Sequence, residues 1–313
     1  MLWAMIGYLI KRIGQFVPTA LGVVTLVFFL VHLVPGDPVE VMLGETAQPA
    51  DKEALRHSLG LDLPLHVQYI KFLKGLAALD LGDSFFYKKP VISLIYERLG
   101  ATAELAAAAM LLAVIIAFPL GIASAIKRAT AVDRGAMVAA LLGVSIPNFW
   151  LGPMLIYIFS IKLDWFPVSG RGGLLHLVLP AITLGTALAG ILSRMIRASV
   201  LEVLREDFIL FAKARNIPKH RFVIHYLLRP ALIPVITLIA LQLGALLSGA
   251  VITETVFSWP GLGTLFLSAI FSRDFPLIQG CVLFFAFFYL AANLLADILY
   301  AVVDPRVRLK GES

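Results

Sequence analysis

The side chains through which this chain of 313 residues could do chemistry are few and poorly spaced for it. Its six histidines, His32, His57, His66, His176, His220 and His225, never form the His-Glu-x-x-His pattern that sets two imidazoles on one helical turn beside a general base. His57 and His66 share the polar segment 35–100, which leaves a weak metal site as the alternative to none. Cys281 is the single cysteine, so a disulfide framework, a Cys-based zinc site and an iron–sulfur cluster are excluded. No Gly-x-Ser-x-Gly elbow presents a nucleophilic serine. Gly-Lys never occurs, so the Gly-rich loop that cradles nucleotide phosphates is missing. The sequence thus offers no catalytic residue, no metal ligand set and no cofactor held by this chain.

The elements that must position any functional residue are apolar. Hydrophobic residues make up 60% of the chain and charged residues 15%, against about 25% charged in soluble domains. A membrane-crossing helix needs about 20 apolar residues. Six stretches meet that need: Ile13–Val34, Leu105–Ile126, Gly135–Ile161, Gly172–Ser193, Ala231–Thr253 and Phe275–Ala296. They lack strand alternation and are too long for barrel strands, so the expectation is an all-α integral membrane protein with six transmembrane helices. The first stretch follows Lys11 and Arg12 like a signal peptide, but it is long and no small-residue cleavage site follows, so it reads as an uncleaved anchor.

Lys and Arg orient the spans. The N-terminus, the Lys127–Arg134 loop, the Arg194–Arg229 segment and the tail after Asp304 together hold sixteen, against ten in the segments on the other side. Both termini are therefore expected in the cytoplasm. The net charge of +6 follows from that stacking rather than from a nucleic-acid partner.

Two polar segments are large. Residues 35–100 lie outside, rich in turn signals, with Leu65, Tyr69, Phe72, Leu73 and Leu76 at helical spacing. They read either as a small helical cap on the membrane surface or as a docking platform for an extracytoplasmic partner. Residues 197–230 lie inside. A helix up to Arg215, a left-handed cap at Asn216 and a new helix opened by Pro218 would give a helix–turn–helix on the cytoplasmic face. Phe208, Phe211 and Ile217 would then face a partner, or the helix would lie on anionic lipid. DNA binding is a poor reading so close to two spans.

Two further features stand near the spans. Pro147 breaks the third span about 18 Å from its cytoplasmic start, at 1.5 Å per residue. Ser145, Asn148 and Trp150 beside it line a translocation pathway, or else the kink only packs helices. The turn Glu254–Gly263 combines Trp259, suited to the interface, with a bend at Pro260, Gly261 and Gly263. Glu104, Glu254 and Asp297 sit at span ends, where solvation or capping is expected rather than a proton relay.

The chain resembles the inner-membrane permease subunits of ABC importers, specifically the B-type subunits of the dipeptide, oligopeptide and nickel importers. The resemblance runs through Val34-Pro35-Gly36-Asp37-Pro38, Leu59-Gly60-Leu61-Asp62 and Asp80-Leu81-Gly82-Asp83-Ser84. It continues through the runs Leu142–Trp150, Trp165–Gly170, Arg197–Phe208 and Thr253–Gly263 to Asp304-Pro305-Arg306. It implies the type I permease fold: residues 1–34 as N-terminus and first helix, 35–100 as cap, 101–303 as a five-helix core and 304–313 as a cytoplasmic tail. It implies a homologous second permease, one or two ATPase subunits that bind ATP and magnesium, an extracytoplasmic binding protein and lipid as partners. It assigns ATPase coupling to Glu206, Asp207, Phe208, Phe211, Ala212, Ala214, Arg215, Asn216, Ile217 and Pro218. It assigns an outer gate to Glu254, Phe257, Trp259, Pro260, Gly261 and Gly263, with a simple interfacial anchor as the alternative; the pathway reading of Ser145, Pro147, Asn148 and Trp150 rests on the break itself.

The usual Ala-Lys-Gly-Leu of the coupling segment is here Ala214-Arg215-Asn216-Ile217, and the usual Arg-Thr-Ala is Leu210-Phe211-Ala212. A partner cleft shaped to match these bulkier residues is expected. Peptide is the expected cargo by family frequency, with nickel or a nickel chelate second. A self-sufficient secondary transporter is the alternative from another class; it would need inverted repeats and midplane acids.

Overall fold

A computed structural model of the chain describes residues 2–33, 37–44, 47–215, 217–247 and 250–303. Asn216, the segment 34–36 and the tail 304–313 with Asp304-Pro305-Arg306 lie outside the described residues. So does the Asp297 side chain. The described residues form helices; their only β pairing is an isolated bridge, Asp83 to Pro90. An all-α membrane protein is what the chain forms.

Helix α1 (Leu2–Leu33) carries the apolar stretch Val17–Phe29. Three short helices follow: α2 (Pro38–Leu43), α3 (Pro49–Ser58) and α4 (Leu65–Ala77). Asp37 caps α2 by accepting from the Val39 N–H at 2.9 Å, with Pro38 in the first turn, where a missing donor costs nothing. Arg56 of α3 pairs with the same carboxylate. The Tyr69/Phe72 stripe of α4 does not lie against a core of its own, since α4 buries no residue fully. The stripe meets α1: the Tyr69 and Thr25 hydroxyls are 2.7 Å apart, Phe72 meets the Phe28 ring at 5.6 Å, and Gln68 reaches His32 at 3.2 Å.

Among the described residues, four helical stretches are long and apolar enough to cross a membrane: α5 (Val91–Ile126), α8 (Leu174–Val203), Phe222–Leu247 and residues 275–296 of α14 (Phe275–Val303). The third joins a π-helical stretch, Phe222–Leu228, to α11 (Arg229–Leu247) and is preceded by one short turn, α10 (Lys219–Arg221). The span read as Gly135–Ile161 is instead two helices, α6 (Ala131–Ser145) and α7 (Asn148–Leu155), the latter continuing π-helically to Lys162. They bend by 98°. The cause is local. Ile146 precedes Pro147 and takes an extended conformation (φ −80°, ψ 117°), because the proline ring disfavours the helical region for its predecessor. The span read as Ala231–Thr253 likewise ends at Leu247, and α12 (Val251–Val256) is a separate short helix, followed by α13 (Leu262–Phe271).

The core is built on small residues. Along α5, residues 101, 105, 109, 113, 117, 121 and 125 are buried, and all but Leu105 are Ala or Gly. Recurrence every four residues sets each beside the next in a stripe that winds gradually around the helix, where small side chains let helix backbones approach closely. A Cβ on Gly121 would stand 2.8 Å from the Ser193 carbonyl of α8, and one on Gly185 would stand 2.9 Å from the Ala109 carbonyl. Helices α5 and α8 therefore run parallel in one register. Helix α6 packs on the other side of α8 just as closely, Gly190 against the Ala140 carbonyl and Gly143 against that of Thr186.

Candidate functional site

The segment after α8 carries the clearest surface feature. The chain turns at residues 204–206 and forms α9 (Asp207–Ala214), with Glu206 accepting from the Ile209 N–H at 3.0 Å. The single helix expected up to Arg215 is thus two helices with a turn between them. Ile209 and Ala212 face inward and are fully buried. Phe208, Leu210 and Phe211 stay exposed, at 40%, 65% and 72%. An eight-residue helix that buries Ile209 and Ala212 and shows two phenylalanines and a leucine outward carries an exposed apolar patch. Glu206, Asp207, Ala214 and Arg215 rim it and are exposed, and Ile217 and Pro218 follow. Pro218 accepts from the Phe222 N–H at 2.9 Å, so it opens the next helix as expected.

At the same end of the bundle, Asp133 at the start of α6 is 5% exposed and accepts four hydrogen bonds. Arg197 of α8 donates Nε at 2.7 Å and Nη2 at 2.9 Å to its two oxygens, the Ala129 N–H donates at 2.9 Å, and the Ser124 hydroxyl donates as well. A buried carboxylate is tolerated there because a two-pronged guanidinium and two further donors replace its water. Sequence reading passed over this pair. Arg197 was visible only as the first residue of a motif, and Asp133 lies 64 residues away.

At the opposite end, the Glu254–Gly263 turn is a closed knot. Glu254 is fully buried, and its oxygens accept from the Thr102 hydroxyl at 2.7 Å, the Gly263 N–H at 2.7 Å and the Thr264 N–H at 3.1 Å. It caps α13 from outside that helix. Of the solvation or capping expected for it, the fold gives capping, and water does not reach the carboxylate. Trp259 is also fully buried and donates its indole N–H to the Ala101 carbonyl at 2.8 Å, so it is no interfacial anchor. Phe257 is 2% exposed and its carbonyl accepts from Gly170 N–H at 2.8 Å. Glycine is required at 261 and 263, since a Cβ at either would collide with the Glu254 carboxylate. Pro260 precedes them, half-buried. Arg171 pairs with Glu104 at 2.6 Å, so that acid is satisfied by a partner on the α7–α8 loop.

Asp274 was also missed. It is fully buried, accepts from the Phe85 and Phe86 N–H groups at 3.1 Å each and from the Ser84 hydroxyl, and caps α14 through the Leu277 N–H at 3.3 Å. It locks the end of the α2–α4 region to the last long helix. Between the two ends, the break at Pro147 lies on the surface of this chain. Ser145 and Pro147 are exposed, Asn148 is half-buried, and Trp150 is 51% exposed beside the exposed Phe149.

A bundle of apolar helices with one broken span and an exposed apolar helix at one end has the architecture of a multi-pass membrane protein. The family comparison is more specific: residues 117–309 match the model described as "Binding-protein-dependent transport system inner membrane component", and residues 5–106 match its N-terminal companion. The chain belongs to this family, the non-catalytic permease subunits of ABC importers. It is 41% identical to the di/tripeptide transport system permease protein DppB of Pseudomonas aeruginosa over 97% of this chain and 99% of that one. It is 43% identical to the glutathione transport system permease protein GsiC of Pectobacterium atrosepticum, over 98% and 100%. Among solved structures it is similar to the inward-facing MetNI methionine ABC transporter, with TM-score 0.56 and 16% identity over 68% of this chain and 97% of that one. The chain is therefore a multi-pass inner-membrane protein.

Proposed function

We propose that this permease subunit carries di- or oligopeptides, a tripeptide such as glutathione included, in a complex with a homologous second permease, one or two ATPases and an extracytoplasmic binding protein. Both termini lie in the cytoplasm, α2–α4 form the extracytoplasmic cap, and α9 is the surface on which an ATPase docks. The observation that carries this reading is the exposed trio Phe208, Leu210 and Phe211 on a helix whose other face is buried. Burying three such side chains in a partner cleft is worth about 1.5–3 kcal/mol each. ATP and magnesium are held by the partner. Closure of the ATPases draws the coupling helices together and opens the pathway outward, and hydrolysis resets it. Ser145, Pro147, Asn148 and Trp150 line the path between the two permeases. The knot of Glu254, Phe257, Trp259, Pro260, Gly261 and Gly263 backs its outer gate.

The relatives support the cargo class: their names are those of dipeptide, di/tripeptide and glutathione permeases. The test is recovery of the tagged chain from native membranes in mild detergent, followed by mass spectrometry. A second permease and an ATPase should come along, and the ATPase should be lost when residues 206–218 become a Gly/Ser linker. Ligand extracted from a co-purified binding protein should be peptide. An ATPase retained by the linker variant would overturn the docking assignment, and a non-peptide ligand would overturn the cargo.

A further inference from the structure

We infer that the Asp133–Arg197 fork is a positioning device for energy coupling: it makes α6 follow α8, and so carries movement of the ATPase-docking helix to the broken span. The inference rests on the docking role proposed for α9. Its own ground is a chain of contacts. Arg197 stands six residues before the end of α8, about 9 Å from the turn into α9 at 1.5 Å per residue. Its guanidinium meets both oxygens of Asp133, which no neighbouring water can replace at 5% exposure. From that fork, α6 and α8 stay in one antiparallel register through Ala140–Gly190 and Gly143–Thr186. Gly143 lies ten residues, about 15 Å, beyond Asp133 and four before Pro147.

The two ends of this two-helix strut are made differently. Near the break, α6 and α8 touch through glycines and backbone carbonyls, a fit that van der Waals packing sets and that can slide. Beside the docking helix they are joined by a bidentate ion pair, which is directional. Asp133 also binds the Ser124 hydroxyl at the end of α5 and the Ala129 N–H in the turn, so three helix ends meet at one carboxylate. A push on α9 enters α8 directly by chain connection. It reaches α6 only through packing and this fork, because α6 has no covalent link to α9 other than through α7 and α8.

The experiment uses the intact complex in nanodiscs, with binding protein purified from the same cells together with its native ligand. Asp133→Asn and Arg197→Lys each abolish the fork; the lysine variant keeps the charge and should still fold. The readout is the stimulation of ATP hydrolysis by loaded binding protein, relative to basal hydrolysis. Stimulation should fall about tenfold, within the roughly 5–150-fold span of site-to-site coupling, while basal hydrolysis persists. The exchanged pair Asp133→Arg with Arg197→Asp should recover part of it. Spin labels at positions 138 and 205, both exposed, should keep a constant separation with and without ATP in the native chain and lose it in Arg197→Lys. Equal loss of basal and stimulated hydrolysis, with the label separation still constant, would show a merely structural ion pair and overturn the inference. The Gly/Ser replacement of 206–218 separates the two readings. If it leaves stimulation intact, the docking role of α9 has failed; if it abolishes stimulation and Arg197→Lys does not, the fork alone has failed.

Discussion

Two glycines of α5, 21 residues apart, should respond oppositely to the same added methyl group. Gly121 faces α8, and its Cβ would stand 2.7 Å from Ile196 Cβ, 2.8 Å from Ile196 Cγ2 and 2.8 Å from the Ser193 carbonyl oxygen. Ordinary contact begins at 3.4 Å, so the helices must part by roughly 0.6 Å. Two of the three atoms belong to backbone or to a β-carbon, which cannot rotate away. Overpacking of this kind costs about 1–3 kcal/mol. Gly100, on the same helix, has nothing within 4 Å of its Cβ. Both substitutions share the gain of about 1 kcal/mol from replacing glycine inside a helix. That gain cancels in the comparison, so Gly121→Ala should be less stable than Gly100→Ala by about 1–3 kcal/mol. The assay is thermal unfolding of the detergent-purified chain, followed by loss of the monodisperse peak in size-exclusion chromatography. Gly100→Ala should melt at or above the native temperature and Gly121→Ala several degrees below Gly100→Ala, using about 2–4 °C per kcal/mol. Equal melting of the two variants would refute the close α5–α8 contact, and with it the account of why this face of α5 is almost entirely Ala and Gly.

Glu254→Gln should destabilise the same protein by about 1–3 kcal/mol, because the amide cannot accept from all three donors that now converge on the carboxylate, and one of them is left unpaired; Trp259→Phe should cost about 1 kcal/mol through the lost bond to the Ala101 carbonyl. Both are read in the same melting assay. Asn216→Val should cripple transport while leaving membrane insertion intact, since a β-branched residue resists the left-handed cap read from the sequence; uptake and membrane fractionation together decide it. The Asp62 carboxyl is held below the usual carboxylate range by its hydrogen bond from His57, 2.7 Å away. The bond's contribution is therefore full above the unfolded value of about 3.9 and is lost as pH falls through the lower folded value. Carboxyl-detected NMR of the labelled chain should show the Asp62 titration move upward in His57→Ala.

Sequence alone determined what one-dimensional pattern can carry. Span length and charge-free runs identified membrane helices, because crossing hydrocarbon demands about 20 apolar residues whatever their neighbours. Pro147 and Pro218 marked a break and a helix start, because proline acts on its own backbone and on the residue before it. The ordered motifs from Asp37-Pro38 to Thr253–Gly263 identified the family. What the pattern could not show is pairing across distance. Asp133 met Arg197 over 64 residues, Ser84 met Asp274 over 190, and Thr102 met Glu254 over 152. Of these three acids the sequence singled out only Glu254, as a charge at a span end where water or a helix cap would be its partner. Only packing decided otherwise: where helices and loops close together and exclude water, a buried acid must find its donors on segments distant in sequence. The angle at Pro147 was likewise beyond the sequence. Proline dictates that Ile146 is extended, but the 98° between α6 and α7 is set by where α6 meets α8 on one side and Gly152 meets Phe257 on the other.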